Sequence, residues 1–137
     1  MIVLADRYIY TLMARDIVRG ADRTWTRNLY SPALVPDAVF YFRVDARHLV
    51  GRNFQKNATL DYWESGMDLG LSRDMFDSFL KFQRMLQAEF HKMQEEFGFE
   101  VINANLRVDR IQADLRRKIG ALLRIGAPLL SSADQKQ

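Results

Sequence analysis

Between Ser72 and Gly98 apolar side chains recur at spacings of three and four: Met75, Phe79, Phe82, Leu86, Phe90, Met93 and Phe97. That period predicts a long amphipathic helix, opened at Ser72 and stopped by Gly98, whose apolar stripe must be buried. The stripe reads as core rather than as a cofactor pocket. Runs of a different period frame it. AVFYFRV, Ala38 to Val44, follows the turn signal Pro36-Asp37 and is the richest stretch in aromatic and β-branched residues. FEVINAN, Phe99 to Asn105, reads as another strand with its exit loop. Strand, long helix and strand in this order fit an α/β pattern with parallel strands.

The remaining segments extend that α/β pattern. Ile2 to Ala5 is apolar on both faces and reads as a strand buried in the sheet. Thr11 to Arg19 reads as a helix with basic residues late and Gly20 as its stop, and Asp22 to Tyr30 as a second short helix closed by Ser31-Pro32. Asp45 can cap a helix running to about Arg52. From Asn53 to Gly70 periodicity fails and Asn, Gly, Asp and Ser accumulate, the composition of a long loop and, at that length, of a functional lid. Val108, Ile111, Leu115, Ile119 and Leu122 make a final amphipathic helix before a Gly-Pro break.

Composition narrows the classes. The chain of 137 residues has no Cys, so disulfides and thiolate metal sites are excluded and a reducing, cytoplasmic home is expected. No run approaches the roughly 18 apolar residues of a membrane span. A net charge of +3 suits an anionic small molecule and is too small to argue for nucleic acid.

Asp6-Arg7-Tyr8 stands at the end of the first expected strand, where ligands of α/β sheets sit. Arg7 there can hold a phosphate by a planar two-donor contact, and Asp6 can accept from a sugar hydroxyl or a metal-bound water. A strand-end ion pair fits the same residues. Together with Thr11-x-x-Ala14, PDAVFYFRVD from Pro36, Arg52, LDYWE from Leu60 to Glu64, and VINAN after the long helix, this motif resembles the thymidylate kinase family, in the family's order and at near-family spacing.

The resemblance covers almost the whole chain and matches only the C-terminal part of that fold. It implies a three-layer α/β fold of the P-loop NTPase, nucleoside monophosphate kinase type with a parallel sheet. The sheet is incomplete here, with about three strands and five to six helices. Residues 1–127 would form the domain portion, about 53–70 its lid, and 128–137 a polar tail. The implied reaction moves the γ-phosphate of ATP, with Mg2+, to dTMP. Asp6, Arg7, Tyr8, Thr11 and Arg15 would contact the nucleoside monophosphate, with Asp6 reaching a metal only through water. Arg52 and Lys56 would be catalytic, with Arg52, Asn103, Ala104 and Asn105 on the ATP side. A homodimer, or a partner chain supplying the P-loop half, is implied as well.

Departures qualify the match. Arg15 and Asp16 stand where the family commonly has an aromatic residue and Gln, which affects sugar selectivity. Tyr62 occupies the position of a lid Arg, so Lys56 or Arg73 would have to stand in for it. Arg47 reads equally as a basic lid residue or a solvated one, and His48 as a surface group. None of the seven glycines is followed by Lys, so the sequence contains no G-x-x-x-x-G-K-[ST] phosphate cradle. In the family's strand order the cradle's strand lies between Ile2–Ala5 and AVFYFRV. Hence the sheet closes differently, a partner fills the slot, or the chain is a truncated product whose Met1 falls inside a strand. The alternative to a kinase portion is a non-catalytic nucleotide-binding or assembly module that docks on a partner.

Overall fold

The computed structural model describes residues 1–45, 48–49 and 60–125. In chain order the described elements are α1 (Ile9–Val18), α2 (Arg23–Tyr30), β1 (Phe40–Arg43), a single 3-10 turn (Met67–Leu69), α3 (Met75–Phe97), β2 (Glu100–Asn103) and α4 (Val108–Ile125).

Local chemistry sets the helix ends. The Asp22 carboxylate accepts from the Trp25 N–H at 2.8 Å and starts α2, and Asp74 accepts from the Asp77 N–H at 2.7 Å and starts α3. Ser72, expected to open α3, instead accepts from the Asp74 N–H at 3.2 Å, so it orders the residue that caps. Gly98 closes α3 at φ +67°, where its N–H reaches the Gln94 carbonyl at 2.9 Å.

β1 and β2 pair in parallel, Phe40 opposite Glu100 through Arg43 opposite Asn103, with α3 in the connection between them. Strand alternation divides their side chains between two faces. Tyr41 meets Phe90 of α3 at 5.1 Å between ring centroids, while Phe40 and Ile102 pack with Ile111 and Leu115 of α4. The sheet therefore carries helix on both faces. The larger core lies on the α3 side, where Phe82, Leu86 and Met93 bury against Met13 and Ala14 of α1 and against Phe99. The stripe predicted for α3 is this core, except that its terminal members Met75 and Phe97 stay partly exposed.

The first segment departs from expectation. Residues 2–5 form no strand; Ile2, Val3 and Leu4 are 70%, 74% and 87% exposed. An apolar run becomes a buried strand only when a neighbour satisfies its backbone, and among the described residues β1 pairs only with β2. The described residues thus hold two strands and four α-helices, against the three and five to six expected. The helix expected to run from Asp45 to Arg52 lies outside the described residues beyond Leu49; the His48 and Leu49 N–H groups donate to the Asp45 carbonyl at 2.9 and 3.1 Å.

Of the expected lid, residues 53–59 lie outside the described residues, and 60–70 are packed. Ser65 and Gly66 are buried, and Ser78 Oγ of α3 donates to the Ser65 carbonyl at 2.8 Å. Gly66 has φ +64°, and a Cβ there would meet the Phe82 ring at 2.7 Å. Gly98 shares the left-handed conformation but faces open space. Chemical denaturation should separate the two: Gly98→Ala is expected to cost about 1 kcal/mol from backbone conformation alone, and Gly66→Ala roughly 2–4 kcal/mol because overpacking adds to it.

Candidate nucleotide-phosphate site

Tyr8, Thr11, Arg15 and Arg19 follow one another at spacings of three and four, which puts them along one side of α1. The turn at residues 61–65 and the 3-10 turn after it lie against this row. Arg19 makes the junction: Nε donates to Asp68 Oδ2 at 2.8 Å and Nη2 to the Trp63 carbonyl at 2.9 Å, and the guanidinium lies 4.9 Å from the Phe82 ring centroid. The Arg19 hydrogen bond holds the Asp68 carboxyl below the usual carboxylate range, and the Arg15 charge adds to that effect. Sequence reasoning gave Arg19 only the helix dipole, and a partner 49 residues away leaves no local signal.

The turn itself is tied internally. Asp61 Oδ1 accepts from the Trp63 and Glu64 N–H groups at 2.9 and 3.2 Å, and Ser65 Oγ donates to the Asp61 carbonyl at 2.5 Å. It presents Tyr62 and Trp63 outward as an edge-to-face pair with centroids 5.3 Å apart.

At the other end of the row stands Arg7. Its φ of +51° is the only positive value at a non-glycine among the described residues, a conformation that costs on the order of 1 kcal/mol or more. Its Nη1 lies 3.9 Å from Glu64 Oε1, with the two side chains 69% and 56% exposed. Tyr8 anchors the same corner through Oη, which donates to the Leu34 carbonyl at 3.0 Å, and its own carbonyl accepts from the Thr11 N–H at 3.1 Å. Asp6 is exposed beside Arg7, and Arg15 is half-buried. Asp16, a departure from the family pattern, accepts from Tyr30 Oη at 2.9 Å and so ties α1 to α2. One end of the expected acceptor set, Arg7, thus meets the LDYWE turn through Glu64, and Arg15 acts on Asp68 in the turn beyond it.

The expected ATP-side residues lie apart, at the carboxyl ends of β1 and β2. Asn103 Oδ1 accepts from the Asn105 N–H and Asn105 Oδ1 from the Asp45 N–H, both at 3.0 Å, while the buried Ala104 donates its N–H to the Arg43 carbonyl at 2.8 Å. These contacts stitch the strand ends. Arg47, Arg52 and Lys56 lie outside the described residues. No group of three His, Cys, Asp or Glu suited to a metal occurs among the described residues. A lone carboxylate such as Asp6 still suits Mg2+ that is held mainly by substrate phosphate and water. No described helix is long and apolar enough to cross a membrane.

Asp68→Asn tests the junction. The low Asp68 pKa contributes stability above the unfolded carboxylate value near 4 that is lost as pH falls through the lower folded value. Urea titrations should show the variant roughly 1–3 kcal/mol less stable at pH 7, with the gap closing below about pH 4.

No family model matches the chain. It is 33% identical over 120 residues to the probable thymidylate kinase 2 of Saccharolobus solfataricus, covering 87% of this chain and 56% of that protein. It is 25% identical over 123 residues to the probable thymidylate kinase of Thermococcus kodakarensis, covering 89% and 53%, and 27% identical over 101 residues to that of Methanocaldococcus jannaschii, covering 74% and 44%. The chain spans about half the length of the curated relatives it matches. Over that span the three relatives support a relationship to the thymidylate kinase family.

Proposed function

We propose that the chain is the acceptor-side portion of a thymidylate kinase-type nucleoside monophosphate kinase of the P-loop NTPase type, which moves the γ-phosphate of ATP to dTMP in the cytoplasm. The observation that most supports this reading is the backbone of Arg7. A strained residue holds an exposed guanidinium at the corner where α1 meets the LDYWE turn, and strain of this kind is retained where surrounding structure and function require it. Arg7 would take the acceptor phosphate by two parallel N–H donors, with Thr11 and Arg15 further along the same helix side. Asp6 would face the sugar or a water on Mg2+, which supplies charge neutralisation when bound. Arg52 just before the lid and Lys56 within it, about 53–70, would meet the transferring phosphate, with Arg52 and Asn103 to Asn105 on the ATP side.

The exposed apolar segment 2–4 and the edge of β1 that is unpaired among the described residues support a sheet completed by further polypeptide, from the same protein, a second chain or a homodimeric partner. A phosphate cradle would come from there. Residues 1–137 alone, mixed with ATP, Mg2+ and dTMP, are therefore expected to give no turnover; measurable dTDP formation would contradict the assignment of the missing cradle. Binding is the sharper test. In calorimetric titrations thymidine monophosphate should bind better than thymidine, and Arg7→Ala should lose roughly tenfold to a hundredfold for the monophosphate alone. Equal loss for thymidine would show that Arg7 serves folding rather than phosphate.

A further inference from the structure

Arg7 already has an anion beside it. Glu64 Oε1 lies 3.9 Å from Arg7 Nη1, beyond hydrogen-bonding distance, so the pair is a charge contact in which the carboxylate takes no guanidinium N–H. Both backbones are constrained: Arg7 at its left-handed φ, and Glu64 on a turn that Asp61 closes from within and Arg19 docks onto α1. The two residues therefore face each other across the corner between α1 and the turn, with both side chains exposed. We propose that Glu64 is the resident counter-ion of Arg7, neutralising it when the site is empty and yielding that place to the phosphate of an incoming nucleotide. The proposal rests on the acceptor reading of Arg7 given above.

The consequence is selectivity by charge. An arriving phosphate must displace Glu64 and then share the site with a carboxylate a few ångströms away, so each anion binds more weakly than it would to Arg7 alone. A phosphate that engages the guanidinium at two oxygens overcomes that opposition better than a singly charged anion with one contact. Glu64 is thus a positioning residue that sets the threshold for occupancy.

Glu64→Gln keeps the shape and removes the charge. By NMR or calorimetry, the variant should bind inorganic phosphate and thymidine monophosphate about threefold more tightly at low ionic strength, with the difference shrinking toward about 0.5 M salt. Thymidine binding and the melting temperature should be unchanged, as an exposed pair contributes little to folding. Equal or weaker phosphate binding by the variant overturns the proposal and makes Glu64 an orienting group for Arg7, and no phosphate binding by either chain overturns it too. Failure of the acceptor reading looks different: the variant gains affinity for inorganic phosphate, while thymidine monophosphate binds neither chain better than inorganic phosphate does.

Discussion

Arg19 is the contact on which the site depends. Its guanidinium donates to Asp68 through Nε and Nη2, to the Trp63 carbonyl through Nη2, and sets its flat face on Phe82, so a single side chain joins the end of α1, the 61–69 segment and the core of α3. The pair is largely shielded, with side chains 25% and 16% exposed, which strengthens it relative to the open Arg7–Glu64 contact. The stem of Arg19 also covers apolar surface that would otherwise face water. Removing that junction would free the turn from α1, and Glu64 would lose its fixed place opposite Arg7.

A second set of ion pairs does the corresponding job between α2 and α3. Arg23 reaches the buried Glu89 at 2.7 Å, and both Arg23 and Arg27 reach Glu96. Breaking such a pair from one side leaves a buried charge uncompensated, so the arrangement fixes how α2 lies on α3 more than it adds to stability. The α1–α2 corner is closed by Tyr30 and Asp16, where burial and the neighbouring carboxylate raise the tyrosine pKa. Around the site, helices are thus located by directional polar contacts, while the apolar core supplies the bulk of the burial.

The parts of this fold that were legible in the sequence are those encoded by residues close to one another. The stripe from Phe79 to Met93 found its core, the segment 22–30 formed its short helix, Gly98 ended a helix, and AVFYFRV and FEVINAN became parallel strands. What was not legible depends on distant partners. Ile2 to Leu4 has the composition of a buried strand, but composition cannot report whether a neighbouring strand is there to receive it. Residues 60–70 lost helical periodicity because Asp61, Ser65 and Gly66 build a tight turn from side-chain caps and a left-handed glycine, devices that read as loop. Arg19 looked like a helix-end charge until its partner came from a segment far along the chain. Of the candidate site, Arg7 was legible by residue type and position, whereas Glu64 was legible only as part of a motif.

The geometry also separates two kinds of expected site residue. Asn103, Ala104 and Asn105 spend hydrogen-bonding groups on closing the ends of β1 and β2, so any role toward adenine would be added to a structural one. Arg7 is different: its backbone is strained, its side chain is exposed, and its one ion pair among the described residues is too long for a hydrogen bond. Stability alone gives no reason to keep a left-handed arginine, since glycine or asparagine takes that conformation at lower cost. What the arginine adds at this corner is an exposed guanidinium whose planar pair of N–H donors suits the phosphate contact proposed for it.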